Sequence, residues 1–598
     1  MFFLKAELAG SSRDVHEEKT PPGTTSWSRK GVSVHYKTSS PFGWSWTHDD
    51  LVAVGESVIA PAEEEITKAI KALATGCSHS APLGNNLLSI VVVDAQRRII
   101  ELAASISSSR FQYYSYAKNG LACSTSVAAM KEAGVPIAMD ENALPEFFMY
   151  RFVTAPGSLL KGIPKLIGGQ HLTFEMSQGT VTAERHWRFG DVGAEAGQTA
   201  EQCTAEVTAR LERIISEAAL HSGRSGILLS GGLDSSLLAA LAVRQYPSIT
   251  SVSSSFSFSN RSDREEEYAT SVAHLLKTTH SVYKGSDEEY LRGLVEAIAC
   301  AEEPVHHLQS VMLYLLFKNL SRGRHDVLFC GEAADGLFGN DAHRKYAKFH
   351  SLLSLLQVPG VRSVWKTFAQ LGSTRGGRLA YFRHDFRRRS DSDDHILWTL
   401  GQYTSKRVLT EEFGFDKSAV VASHRQLIRP FVAEPLLNQI TIISLLCEGF
   451  TTMGVWSKLA ESQGIIISYP FASEDVIRHV LSIPWSIKLR ESKYVIRQIL
   501  RAAGFPEPYL NRPKQSFGFP IVYWAPPGTL FQPLVDMATE MFDSSLLNRL
   551  QTTDSSRAML LWNAINLYVW KRLIVDGSSP VEMAGEIVDR FKALKQKR

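Results

Sequence analysis

The stretch "GILLSGGLDSSLLAALAV", Gly226 to Val243, constrains the fold of this chain more than any other. An apolar β-like run stops at Ser230-Gly231-Gly232, offers Asp234, Ser235 and Ser236, and then turns apolar again with the continuity of a helix. A strand feeding a glycine turn and a helix puts that turn at the carboxyl end of a parallel strand, where open α/β sheets bind ligands. Two adjacent glycines let the backbone approach an anion closely, and the free N–H groups of a helix start favour negative charge. The pattern predicts a phosphate cradle. It is not the Walker loop, whose GxxxxGK[ST] spacing and lysine are missing, nor the dinucleotide fingerprint GxGxxG. Ser230, Ser235 and Ser236 supply hydroxyl donors, and Asp234 supplies a hard oxygen ligand for the magnesium that accompanies nucleoside triphosphates.

The chain divides on either side of residues 190 to 200, which predicts domains over 1–190 and 200–598. Before the boundary, short apolar strands such as "LLSIVVVDA" are broken by Gly, Ser and Asn, and "GQHLTFEMSQGTVTAERHW" reads as a hairpin turned at Gln178-Gly179. The boundary itself, "FGDVGAEAGQT", is Gly-rich and poor in apolar residues, and "AEQCTAEVTARLERIISEAAL" then has a helical period. Strands in "GILLS", "SITSVSSSF" and "DVLFCG" alternate with helical stretches, the signature of a parallel sheet wrapped by helices. After about residue 340 helical periodicity dominates, with no internal repeat. With 598 residues, 44% of them hydrophobic, the chain exceeds what one core can hold.

The net charge of +3 does not suggest a nucleic-acid or membrane surface, and the locally basic run Arg387, Arg388, Arg389 is followed at once by Asp391, Asp393 and Asp394. The six cysteines, Cys77, Cys123, Cys203, Cys300, Cys330 and Cys447, lie far apart with no CxxC pair, which fits a reducing compartment. No segment reads as roughly 18 uncharged apolar residues, so the expectation is a soluble, cytoplasmic protein. In "EEPVHHLQ", His306 and His307 stand beside Glu302 and Glu303, but adjacent histidines diverge on a helix and a structural role is expected. His343 and His350 read as surface residues, and the aromatic clusters "RFQYYSY" and "FGWSWTH" as strand packing.

The whole string "SGGLDSS" resembles the pyrophosphate-binding loop of the ATP-pyrophosphatase superfamily, which cleaves ATP to AMP and pyrophosphate while adenylating a substrate. Downstream, "CGEAADGLFGN" resembles the GEGADELFGG segment of asparagine synthetases, "YPFASEDVIRHVLSIPWSIKLRESKYVIRQIL" their PFLD…K…LR region, and "NRPKQSFGFP" their late R-x-K-x-x-F motif. In the N-terminal half, "LPEFFMYRFVTAPGSLLKGIPKLIGGQHLTF" followed by His186-Trp187 is similar to that family's domain end. The resemblance implies an α/β chain. An N-terminal glutaminase-like (Ntn-type) β-rich α+β domain precedes an adenine-nucleotide α-hydrolase-like parallel-sheet synthetase domain with a helical C-terminal part. It implies ATP and Mg2+ as cofactors, with Asp234 and Asp335 as metal ligands and Lys514 reaching the α-phosphate and the developing oxyanion. Glu332, where asparagine synthetases carry glutamate and β-lactam-forming relatives tyrosine, would orient or deprotonate an incoming amine. Leu228, Val252 and Gly331 fall at strand ends where the family places adenine and ribose, while Ser253 and Ser254 read as turn formers.

Departures from the family pattern narrow the chemistry. Asp335 is followed by Gly336 where asparagine synthetases have Glu, and their GVEARVPFLD reads "GIIISYPFAS", so that an acid, an arginine and an aspartate become Ile466, Ser468 and Ser473. An aspartate pocket is therefore not expected. Glutamine-dependent members begin Met-Cys-Gly, whereas here the start is Met-Phe-Phe, and the family's Asp-Arg-x-Gly stretch appears as "SISSSRFQYYSY". The expectation is a glutaminase-like scaffold without glutaminase activity. Relatives of that kind are β-lactam, carbapenam and lasso-peptide macrolactam synthetases, which close an amide within one molecule; the alternatives are an intermolecular ligase using free ammonia or another amine, and a catalytically idle scaffold that binds a partner peptide. The partners so implied are a small-molecule or peptide substrate and, for the lasso class, a precursor peptide with leader-binding and protease proteins.

Overall fold

The computed structural model describes residues 2–8, 23–38, 43–57, 61–74, 87–105, 110–118, 120–185, 197–220, 224–256, 264–320, 325–341, 434–512 and 521–596, with residues 343–344, 347, 412–415, 424, 427 and 429–431. Cys77, His186, Trp187, His350, the 387–394 charge run, Lys514 and most of the expected boundary lie outside the described residues.

Two antiparallel sheets build the first half. One contains β1 (Phe2–Leu8), β2 (Thr25–Arg29), β3 (Val32–Thr38), β8 (Tyr113–Ala117) and β9 (Gly120–Ser124), in the order β2-β3-β1-β9-β8. The other contains β4 (Gly43–His48), β5 (Leu51–Ser57), β6 (Leu87–Asp94), β7 (Ile99–Ala104), β10 (Gln170–Glu175) and β11 (Thr180–Arg185), in the order β11-β10-β7-β6-β5-β4. The unbroken apolar run of β6 follows from burial on both faces. Val91 and Val93 meet Phe2, Leu4 and Val34 of the facing sheet, while Ile90 and Val92 meet Ile66, Ile70 and Leu73 of the helix Glu63–Ala74. On the far side Ala129 and Ala133 pack on Phe3, completing a helix–sheet–sheet–helix stack. The hairpin turns at Gln178-Gly179 as read, with Gly179 at φ +67° donating to the Glu175 carbonyl.

The second half carries a five-stranded parallel sheet. Its strands are β12 (Ser225–Leu228), β13 (Thr250–Phe256), β14 (Thr279–Gly285), β15 (Val327–Phe329) and β16 (Ile466–Ser468), in the order β14-β13-β12-β15-β16. The strand order reverses at β12, so a crevice opens beyond the carboxyl ends of β12 and β15. The helix Ala200–Leu220 covers the sheet with Cys203, Val207, Leu211, Ile215 and Ala218, all buried at helical spacing. Ser253 and Ser254 lie within β13 rather than in a turn, and Ser253 bonds His280 at 3.2 Å. From Leu436 to Gln596 the described residues are helical apart from β16 and short turns.

Two further expectations change. The run Leu436–Glu461 is long and apolar enough by composition to cross a membrane, but 89% of its most apolar window is buried inside the protein, so its side chains are core. His343 is buried rather than at the surface; its ring stacks on Trp485, and burial pushes its pKa down to about 4.

The halves share one apolar core, in which Phe111, Tyr113, Phe147 and Tyr150 join Trp562 and Trp570. The polar seam is built by "EEPVHH". Glu302, left-handed at φ 57° after the helix Asp287–Ala301, accepts from Ser126 Oγ (2.9 Å), from the N–H groups of Val127 (3.0 Å) and Ala128 (2.8 Å), and from Lys458 Nζ (2.6 Å). Its carboxylate thus caps the helix Val127–Glu132, and these donors hold its pKa below the usual range against the cost of burial. Glu303 accepts from Tyr113 Oη at 2.7 Å and Lys165 Nζ at 3.3 Å. His306 and His307 do not diverge: their ring centroids lie 4.3 Å apart, because His307 caps the helix Leu308–Asn319 instead of lying inside it.

Glu302→Ala strands the buried Lys458 ammonium and should destabilise the protein by about 3–5 kcal/mol. Adding Lys458→Met should restore much of the melting temperature. Equal melting curves for Glu302→Ala and wild type would show that the seam contributes nothing.

Candidate active site

The turn predicted from sequence stands at the end of β12. Leu229 N bonds the Val252 carbonyl at 2.9 Å, and the chain then leaves the sheet through Ser230-Gly231-Gly232 into the helix Leu233–Gln245. Gly231 has φ +69°, and a Cβ there would fall 2.5 Å from the Tyr268 carbonyl carbon, so this position admits only glycine. Gly232 caps the helix with extended backbone and no side-chain cap, which leaves the first N–H groups suited to an anion. Ser230 and Ser235 brace the turn: their Oγ atoms lie 3.0 Å apart, Ser235 Oγ accepts from Ser230 N and donates to the Gly232 carbonyl, and Ser230 Oγ accepts from Gly232 N. Ser236 departs from the expectation of a ligand. It is fully buried, and its hydroxyl bonds Tyr509 Oη at 2.6 Å.

Leu228 and Val252 are paired across β12 and β13, and Gly331 follows β15 so closely that its Cβ would lie 3.0 Å from Ser235 N and 3.1 Å from Asp234 Cβ. The three residues expected near adenine and ribose therefore gather at one end of the sheet.

Asp234 lies in the first turn of its helix, and Asp335 in the short helix Ala334–Leu337, which starts from a left-handed Ala333 at φ 76°. Both converge on a cation that sequence reasoning passed over. Lys493 Nζ lies 2.5 Å from Asp234 Oδ2 and 2.6 Å from Asp335 Oδ1. Burial works against its charge, but the two carboxylates outweigh burial and hold its pKa above that of a free lysine. Lys493 takes φ 56° as the N-cap of the helix Tyr494–Ala502, and its N–H bonds the Gly339 carbonyl at 2.8 Å. A left-handed lysine costs about 1–2 kcal/mol, which the double ion pair offsets. The cation that the structure brings to the acids is thus Lys493; Lys514 lies outside the described residues. The signal was within "ESKYVIRQIL", the lysine of the K…LR region.

Glu332 is half-buried after β15, and burial, then the charges of Asp335 and Glu448, push its pKa up to about 7. Glu448 comes from a π-turn, Leu445–Gly449, in the long apolar run; its Oε1 lies 3.4 Å from His307 Nε2 and 4.0 Å from Arg151 of the first half. Each acid has a second carboxylate oxygen besides the one paired with Lys493, a hard ligand of the kind that would hold a magnesium ion completing its shell with phosphate oxygens and water, and among the described residues no larger cluster of metal ligands forms.

A reversing parallel sheet, an uncapped glycine turn and a carboxylate–ammonium cluster at its edge define a nucleotide-dependent enzyme site. The family model for asparagine synthase matches residues 206–572, and the chain belongs to this family of ATP-dependent ligases. Proteins named putative asparagine synthetase [glutamine-hydrolyzing] from Mycobacterium tuberculosis and Mycobacterium bovis are 24% identical over 474 residues, covering 74% of this chain and 69% of theirs. Asparagine synthetase [glutamine-hydrolyzing] 1 of Bacillus subtilis is 23% identical over 407 residues, covering 65% of this chain and 60% of its own.

Gly231→Ala should disrupt the turn, since both its φ and the 2.5 Å contact exclude a Cβ. A stability loss of about 1–3 kcal/mol together with loss of ATP binding in calorimetry is expected; unchanged ATP affinity would separate the turn from the nucleotide.

Proposed function

We propose that this protein adenylates a substrate carboxylate at the Asp234–Lys493–Asp335 cluster and passes the acyl group to an amine, forming an amide. The observation that carries this reading is the convergence of one buried ammonium and two acids beneath the uncapped turn. A carboxylate oxygen attacks the α-phosphorus, the α–β bridge breaks, and pyrophosphate leaves; the amine then attacks the acyl carbon and AMP departs. Bound magnesium, held by Asp234 and Asp335, would supply charge neutralisation on the pyrophosphate oxygens. Lys493 stands where charge develops, and Glu332 would take the proton released as the amine attacks.

The amine belongs, in this reading, to the substrate itself, so that the product is a lactam or macrolactam. Two observations support it. Among the described cysteines, Cys123, Cys203, Cys330 and Cys447 are buried and Cys300 is partly buried, and burial pushes the Cys123, Cys300 and Cys330 thiols up, away from nucleophilic use on glutamine. Ser473, where the family has aspartate, is spent capping the helix Glu474–Ser482 through Val476 N. The first half, with its four-layer stack, is then a glutaminase-like scaffold. A second reading, amidation by free ammonia, is favoured by Glu332, the residue type asparagine synthetases carry there.

Any nucleotide product should be AMP with pyrophosphate, read by ion-exchange chromatography, and stoichiometric ADP would defeat the proposal. With L-aspartate and ammonium chloride, no asparagine should form; its formation supports the second reading. Glutamate should not be released from glutamine in proportion to enzyme.

Lys493→Ala should slow turnover by about 3 kcal/mol, roughly a hundredfold, and Lys493→Arg should not restore it. Because Glu332 is neutral below and charged above about 7, kcat/KM should rise as pH passes upward through that value. In Glu332→Gln this limb should vanish, and its persistence would remove Glu332 from proton transfer.

A further inference from the structure

The glycine turn is held from outside by a residue 278 positions further along the chain. Tyr509, in the short helix Glu507–Leu510, donates its hydroxyl to the Gly231 carbonyl at 2.5 Å and lies 2.6 Å from Ser236 Oγ. A carbonyl only accepts, and a phenol has one hydrogen, so that hydrogen is committed to Gly231. The hydrogen between Tyr509 and Ser236 must then come from the serine. Ser236 consequently has none left for a phosphate oxygen.

Tyr509 is itself fixed. The Arg512 guanidinium carbon stands 4.4 Å from the Tyr509 ring centroid and 3.9 Å from that of Tyr268. Tyr268 belongs to the helix Arg264–Leu276, whose backbone closes the other side of Gly231. The stack Tyr268–Arg512–Tyr509 therefore brackets the turn. This matters because a peptide plane between two glycines has two accessible orientations. In one, the Gly232 N–H turns toward Ser230 and the Gly231 carbonyl toward Tyr509, as seen here; in the other, a carbonyl oxygen would face the anion.

We propose that Tyr509 is a positioning residue for the anion-binding turn, holding the Gly231 carbonyl and removing the Ser236 hydroxyl from the ligand set, so that backbone N–H groups of the turn receive the phosphates. The proposal rests on reading the turn as a pyrophosphate cradle.

Calorimetric titration of the full chain with magnesium pyrophosphate tests it, alongside melting curves. Tyr509→Phe should weaken binding about 5–10-fold at a nearly unchanged melting temperature. Ser236→Ala should weaken it less than about twofold, and the double variant should match Tyr509→Phe. If Ser236→Ala costs as much as Tyr509→Phe, Ser236 is a direct ligand and the proposal falls. It falls equally if Tyr509→Phe keeps wild-type affinity, or lowers only the melting temperature. Absence of pyrophosphate binding by the wild type overturns the cradle reading itself, and this inference with it.

Discussion

One ammonium group, that of Lys493, holds the carboxylates of Asp234 and Asp335 together at the ends of neighbouring strands. Without a cation between them, two like charges on adjacent strand ends would repel each other and turn outward to water. With it, the acids point at one spot before any nucleotide arrives. Catalytic electrostatics depends on such preorganisation, because charges that need not move cost no reorganisation during the reaction. The arrangement also explains why a lysine accepts a left-handed backbone: the direction of its side chain is fixed by the two ion pairs rather than by its own conformational preference.

The first half is continuous with this site. Its core runs into that of the second half, and the seam at Glu302 to His307 leads through Glu448 toward Glu332. Arg151, left-handed at the end of the helix Leu144–Tyr150, reaches across to Glu448. The antiparallel sandwich thus forms part of the wall behind the acidic side of the crevice. A fold shared in this way persists for structural reasons whatever chemistry its own face performs.

Much of this was legible in the sequence. The strand–turn–helix around Ser230, the hairpin at Gln178-Gly179, the helix at 200–220 and the parallel sheet all follow from local signals: glycine spacing, apolar periodicity and turn residues. Asp234, Glu332 and Asp335 follow strands β12 and β15, the two aspartates in the first turns of the helices after them. What was hidden depends on conformation or on distant contacts. Lys493 needs a positive φ to reach the acids, Ser236 bonds a phenol far along the chain, and the two histidine rings come within 4.3 Å, tilted against each other, because a helix begins at one of them rather than before both. The apolar run at 436–461 shows the remaining ambiguity, since composition alone gives the same signal for a core helix and a membrane span.

The edge strand β16 has a consequence for the order of assembly. Ile466–Ser468 is three residues long, yet it supplies the outer neighbour of β15, and Ser468 accepts a hydrogen bond from Cys330 N just before Glu332. While the chain emerges from the ribosome, β12 to β15 are made long before their last partner. During that interval β15 presents an open row of backbone donors and acceptors, the kind of edge on which strands of other chains add. The sandwich of the first half pairs largely among near neighbours and can close early; the sheet that carries the chemistry must wait for residue 468. Its vulnerability to misassembly is therefore set by how long that wait lasts, a property of the chain's connectivity rather than of the finished structure.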